Sequence, residues 1–319
     1  MEKILELSVK MQSKDDLKSR DVIVDSTVQE KNITYPTDAK LARKIIDKSN
    51  DIAQKEGIKQ RQTYTKTVKK LKTQVRFGTH PNQKKKSKKA VKRLRTIAGR
   101  QVRELERKLT KKQLEKYRET LDLFKKVLNQ KRGDKNKIYS LHEPEVSCIA
   151  KGKAHKKFEF GSKVSFGMLP ESNIIVAVKT FMGNPHDSKT LETTVEMCEE
   201  MTGKTYKNVI VDRGYRGINW AGETKVILPQ AREKTKSKAQ TKRKKCRQRA
   251  AIEPVIGHVK HYCGMARNFL KGQIGDEINA ILSATAFNLK HLLRGIERGV
   301  KNYFLFLFFD DTYLIFELD

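Results

Sequence analysis

The tetrapeptide Val22-Ile23-Val24-Asp25 returns far downstream as Val209-Ile210-Val211-Asp212. Three β-branched residues in a row, bounded by polar ones, suit a strand covered on both faces of a sheet. Each copy therefore predicts a short buried strand that delivers an Asp at its carboxyl end. Two such strands side by side lie roughly 4.8 Å apart. Carboxylates held that close repel unless a divalent cation bridges them, and a pair of Mg²⁺ ions about 3.5 to 4 Å apart is a recurrent device for cleaving phosphodiesters. The repeat constrains the fold to a sheet with adjacent Asp-bearing strands, and it implies metal-dependent chemistry on a polyanion.

The charge balance points to the same partner. Lys and Arg number 69 against 37 Asp and Glu, a formal net charge of +32, which predicts binding to nucleic acid ahead of a membrane surface. No stretch approaches the roughly 20 apolar residues of a spanning helix, and Met1 to Arg20 has no apolar core flanked by a cleavage site. A soluble, cytoplasmic protein is expected. Cys148, Cys198, Cys246 and Cys263 show no CxxC pairing, so neither a disulfide framework nor a zinc ribbon is indicated. His258, His261 and Cys263 read as helix-surface residues.

The excess charge is concentrated. Lys59 to Lys112 carries 21 Lys/Arg against 2 Asp/Glu, and Arg232 to Arg249 carries 10 against 1. Thr37 to Arg132 is helical in pattern, with Asp38 as a cap and a break at Gly78 to Gln83, where Pro81 turns it into a helical hairpin. One-signed charge over several turns, Lys84, Lys85 and Lys86 included, predicts contact with the DNA backbone, although a charge run is ordinarily a solvated face. Lys157 to Met168 and Asn173 to Phe181 alternate apolar and polar residues as an antiparallel hairpin. Ser188 to Thr202 is an amphipathic helix capped by Asp187 or Ser188. A strand at Thr224 to Leu228 and helices at about Glu253 to Leu270 and Asp276 to Gly299 follow. This order fits a mixed α/β sheet in which the two Asp strands are neighbours.

A two-metal site needs a third acid, and Glu253 is the best candidate. Pro254 is tolerated only in a first helical turn, so the helix should start near Ile252 and place Glu253 at its positive end. Lys260, seven residues on, shares its face and can hold a phosphate; Arg249 lies on the approach. The plainer alternative is a capping glutamate among surface cations. Asp38 is a weaker alternative for the first metal ligand, because it follows a turn and not a strand.

The blocks Asp25 to Asn32, Gly152 to Gly161, Gly183 to Asp187, Val211 to Gly217 and Ile252 to Lys260, in that order, closely resemble the motifs of bacterial insertion-sequence transposases of the DDE class, in the IS-four and IS-five superfamily. The resemblance implies a ribonuclease-H-like mixed sheet flanked by helices, with a basic helical insertion after the first strand. It implies a triad of Asp25, Asp212 and Glu253 holding Mg²⁺, with Mn²⁺ able to substitute. The family's signature of Tyr, two residues, Arg, three residues, Glu, six residues, Lys is filled by Arg249, Glu253 and Lys260, while Cys246 stands in place of the Tyr. Arg249, Lys260, Lys153, Lys156 and Arg213 become candidate DNA-phosphate contacts. Transposon ends and target, both double-stranded DNA, are the implied partners of a homodimer associated with the bacterial nucleoid.

The expected division is 1–36 for a leader and first catalytic strand, 37–134 for the basic insertion, 135–300 for the remainder of the catalytic domain, and 301–319 for an aromatic tail. Relatives carry an end-binding region before the first Asp, and the short leader here suggests truncation. The tail, Tyr303 to Leu318, reads as an edge strand or as sequence foreign to the family. Gly183 to Asp187 suits either the active-site rim or a turn into a helix cap. Trp220 suits core or loop packing ahead of base stacking. Two rival functions share these features: another ribonuclease-H-like nuclease or resolvase, and a non-catalytic DNA-binding remnant.

Overall fold

The computed structural model describes residues 2–12, 14–15, 17–131, 133–150, 157–229 and 236–313, without the side chains of 238 and 302–313. The chain divides into two units, Met1–Asn32 with Ser147–Asp319, and Ile33–Val146.

The first unit opens with helix α1 (Glu2–Lys10) and strand β1 (Asp21–Glu30). The chain then enters the second unit, whose described residues form the α-helices α2 (Asp38–Lys55), α3 (Thr65–Arg76), α4 (Lys84–Lys108) and α5 (Lys111–Asn129). Their core comes from apolar residues at helical spacing, such as Ile45 and Ile46 on α2, Leu94, Ile97 and Leu105 on α4, and Phe124 on α5. The break at Gly78 to Gln83 lies between α3 and α4. A second break was not expected: Thr110 and Gln113 form a reciprocal capping box that starts α5 afresh. On α2 the cap is Thr37, whose hydroxyl accepts from Lys40 N, and Asp38 is the first helical residue.

The chain returns to the first unit through β2 (Ser147–Ala150), β3 (Phe158–Met168) and β4 (Ile175–Phe181). Then come α6 (Ser188–Thr202), β5 (Asn208–Ile210), β6 (Trp220–Ala221), β7 (Thr224–Ile227), α7 (Lys236–Gln248), α8 (Ile252–Tyr262) and α9 (Gly272–Tyr313). The strands form one mixed sheet in the order β2-β3-β1-β5-β7-β6, with β4 also on β3. The β1–β5 and β5–β7 pairs are parallel, and β1–β3 and β3–β4 are antiparallel. The two repeat copies are direct neighbours, Val22 opposite Val209 and Ile23 opposite Ile210, and all six apolar residues of the repeats are buried. Helices α6, α8 and α9 cover the sheet with Leu191, Val195, Ile252, Val259, Ala280 and Ala284.

Four further expectations need correction. Strand β1 does not end at Asp25: it runs on to Glu30 because β3 continues to pair with it, Asp25 opposite Phe166 and Glu30 opposite Gly161. The helix expected over Glu253 to Leu270 stops at Tyr262, since Asn268 is drawn to the end of β1, donating from its N to Glu30 O at 2.7 Å and accepting from Asn32 N at 2.8 Å. The last helix passes Gly299 and runs to Tyr313, so that part of the tail is helical and not an edge strand; residues 314–319 lie outside the described residues. Trp220 is not in the core, being 58% exposed.

Candidate active site

Parallel pairing brings the two repeat aspartates to one level of the sheet. Asp25 lies two residues past Ile23, and Asp212 two past its partner Ile210, where β5 has already ended. Asp212 caps a 3-10 turn, Arg213–Tyr215, its Oδ1 accepting from Gly214 N at 2.8 Å. Asp25 Oδ1 accepts from Ser26 N at 2.8 Å, and its side chain is only 17% exposed. Burial, and after it the negative charge of Asp212, pushes the Asp25 carboxyl up to about 6, against the pull of Ser26 N–H and the Arg249 guanidinium.

That guanidinium links Asp25 to the third acid. Arg249 sits in a 3-10 turn, Arg249–Ala251, just ahead of α8. Its Nη1 stands 3.6 Å from Asp25 Oδ2 and its Nη2 donates to Glu253 Oε1 at 3.2 Å. α8 begins at Ile252 with Pro254 in its first turn, and buries Ile252, Val255, Ile256 and Val259. Glu253 is left 66% exposed, and Lys260 half-buried. Among the described residues no three His, Cys, Asp or Glu side chains stand together as a metal-holding group. The oxygen donors of Asp25 and Asp212 suit a hard divalent cation, and Arg249 contacts both Asp25 and Glu253.

A fourth acid, Asp187, belongs to this cluster. It occupies the N-cap position of α6, but its side chain makes no capping bond. Its Oδ1 accepts instead from Ser26 Oγ at 2.6 Å and from Lys163 Nζ at 3.0 Å. Lys163 is a buried lysine of β3 that also donates to Pro185 O at 2.6 Å. Burial would raise the Asp187 carboxyl, but the Ser26 hydroxyl and Lys163 ammonium outweigh it and hold it below the usual value. A Cβ added at Gly214 would meet Asp212 Oδ1 at 2.9 Å and Asp187 Oδ2 at 3.1 Å, so the two carboxylates face each other across that glycine. Tyr215 is buried beside them, and burial together with Asp187, Asp25 and Asp212 pushes its phenol pKa up. The sequence signal for Asp187 was its place in the Gly183 to Asp187 block; what it could not carry was the direction of the side chain.

The other candidates are dispersed. Arg213 is exposed beside Asp212. Cys246 is on α7. Lys84, Lys85 and Lys86 form the first turn of α4, and Asp38 the start of α2, both in the helical unit. Lys153 and Lys156 lie outside the described residues.

Residues 134–289 match the protein family described as the transposase DDE domain. The matched segment takes in Asp187, Asp212 and Glu253, and it begins after Asp25. No curated protein and no solved structure matches the chain.

Proposed function

We propose that this chain is a DDE transposase of the IS-four and IS-five superfamily, which cleaves double-stranded DNA at transposon ends and joins it to target DNA. The observation that carries the reading is the register-matched Asp25 and Asp212 pair, joined through Arg249 to Glu253, in a chain whose transposase DDE match takes in two of those three acids. The sheet order is compatible with a ribonuclease-H-like fold. In this reading Met1–Asn32 with Ser147–Asp319 is the catalytic unit, and Ile33–Val146 is a basic DNA-binding insertion. The protein acts as a homodimer on DNA in the bacterial cytoplasm.

Asp25, Asp212 and Glu253 would hold divalent cations, Mg²⁺ with Mn²⁺ as a substitute, which supply activation of the attacking water or 3′-hydroxyl and stabilisation of the leaving oxygen. The chain's own residues do the rest. Without DNA, Arg249 contacts both Asp25 and Glu253 and offsets part of their mutual repulsion. An incoming phosphate competes for the same guanidinium, for which it is a good bidentate partner, and frees the carboxylates. Lys260, on the Glu253 face of α8, adds a second cation for phosphate. Asp187 fixes Ser26, whose backbone N–H in turn orients Asp25.

The test is metal-dependent nicking and joining of end-containing DNA by Asp25→Asn, Asp212→Asn and Glu253→Gln. Each is expected to lose activity to background while retaining metal-free DNA binding. Full activity in any one removes that residue from the triad. A wild-type chain that binds DNA but never nicks it supports the rival reading of a non-catalytic remnant.

A further inference from the structure

A basic cavity lies along the same strand as the candidate active site. The amino-terminal ends of β1 and β5, together with β7 and α7, line an open cavity of about 590 Å³, whose wall includes Arg20, Lys207, Lys225, Lys242 and Lys245. Lys207 N donates to Arg20 O at 2.8 Å, and Lys225, which stands opposite Asn208, donates from its N to Lys207 O at 3.2 Å. The cavity gathers these like charges on its wall, and an anion among them offsets their repulsion. Two acids share the wall, Asp21 and Glu171. Asp21 is already committed, to Lys245 Nζ at 2.5 Å and Asn208 Nδ2 at 2.7 Å. Arg20, Lys207 and Lys225 make no ion pair among the described residues. Ser237 and Thr241 of α7 add hydroxyls to the wall.

The cavity is in line with the aspartates. Lys245 meets Asp21, and Arg249, four residues on, meets Asp25, four residues along β1. Four strand residues span roughly 13 Å. We infer that this cavity is a phosphodiester-binding subsite, holding the backbone of the DNA strand at phosphates away from the one facing Asp25 and Asp212. The inference rests on the transposase reading for the identity of the strand. Its interactions are of the kind that position a strand without reading sequence.

The test is duplex binding in EDTA, followed by fluorescence anisotropy over a salt series. Binding in the absence of metal is read independently of nicking, so a chain that fails to cut can still pass this test, and one that cuts can fail it. Lys207→Glu with Lys225→Glu is expected to weaken binding at least tenfold and to flatten the log–log salt slope by about 1.8, the change for two phosphates no longer neutralised. Lys207→Gln with Lys225→Gln gives the same loss of slope without charge reversal, should the first pair fold poorly. Lys14→Glu with Lys271→Glu, exposed lysines elsewhere on this unit, is the control for net charge. Wild-type slope and affinity in the Gln pair, or an equal loss in the control, overturns the subsite. Pyrophosphate that raises the melting temperature of wild type but not of the Gln pair, with DNA affinity equal in both, would reassign the cavity to a free anion and overturn the DNA assignment.

Discussion

At the residue scale, Asp25 is a charge that the fold does not fully compensate. Its carboxyl, about 6 against an ordinary 3.8, is raised by burial and by Asp212, and the difference is worth on the order of 3 kcal/mol. Between those two pH values the folded chain holds a proton that the unfolded chain releases. Stability therefore falls as pH rises through about 4 to 6, and stays lower above it. Metal-free Asp25→Asn is expected to melt several degrees above wild type at pH 7.5, with the gain vanishing by pH 4, as followed by thermal melts across pH. A variant that melts lower at pH 7.5 would mean that the Arg249 ion pair outweighs the repulsion. The sequence made Asp25 and Asp212 legible because a duplicated strand motif needs only local pattern to be noticed. Asp187 was legible only as one of two readings of its block, an active-site rim or a turn into a helix cap: its carboxylate is committed by Ser26 and Lys163, which lie far from it in sequence, and a helix cap is the usual use of Asp at such a position.

At the element scale, local period was a good guide where neighbours agreed with it. The hairpin expected over Lys157 to Met168 and Asn173 to Phe181 formed as β3–β4, although β3 is buried continuously from Glu159 to Met168 and does not alternate between core and solvent. Local period failed at Cys263 to Leu270, where Asn268 pairs with the end of β1 in preference to continuing a helix. The same dependence on distant neighbours explains Gly167 in β3. A Cβ there would stand 2.1 Å from Cys198 Sγ on α6, and Cys198 is fully buried. Gly167→Ala is expected to cost about 1–3 kcal/mol by pushing α6 off the sheet. Cys198→Ala removes the offending sulfur, so the double variant should lose less than the two single losses added together. Denaturant melts of the four proteins measure this coupling. Additive losses would mean that α6 does not rest on β3 at Gly167.

At the scale of the whole molecule, the charge is divided unequally. The helical unit, Ile33–Val146, carries 34 Lys/Arg against 12 Asp/Glu, and the rest of the chain 35 against 25. More than half of the net +32 therefore sits in about a third of the residues. Its placement costs stability. The first turn of α4 has no acid but has Lys84, Lys85 and Lys86, with Lys88 and Lys89 close behind, all exposed. Cations at a helix amino terminus oppose the macrodipole, by about 0.3 to 1 kcal/mol each in the first turn. A merely solvated face has no reason to concentrate them there, whereas a polyanion laid across that end of α4 removes the penalty and is attracted by it. Replacing all five lysines by Gln separates the two accounts, because stability and binding should move in opposite directions. The variant is expected to melt at or above the wild-type temperature, while its DNA affinity falls and its log–log salt slope flattens by up to about 0.9 for each phosphate that the lysines no longer neutralise. If the slope is unchanged, the first turn of α4 does not touch DNA, and the electrostatic surface has to be sought around the cavity lined by Arg20, Lys207 and Lys225.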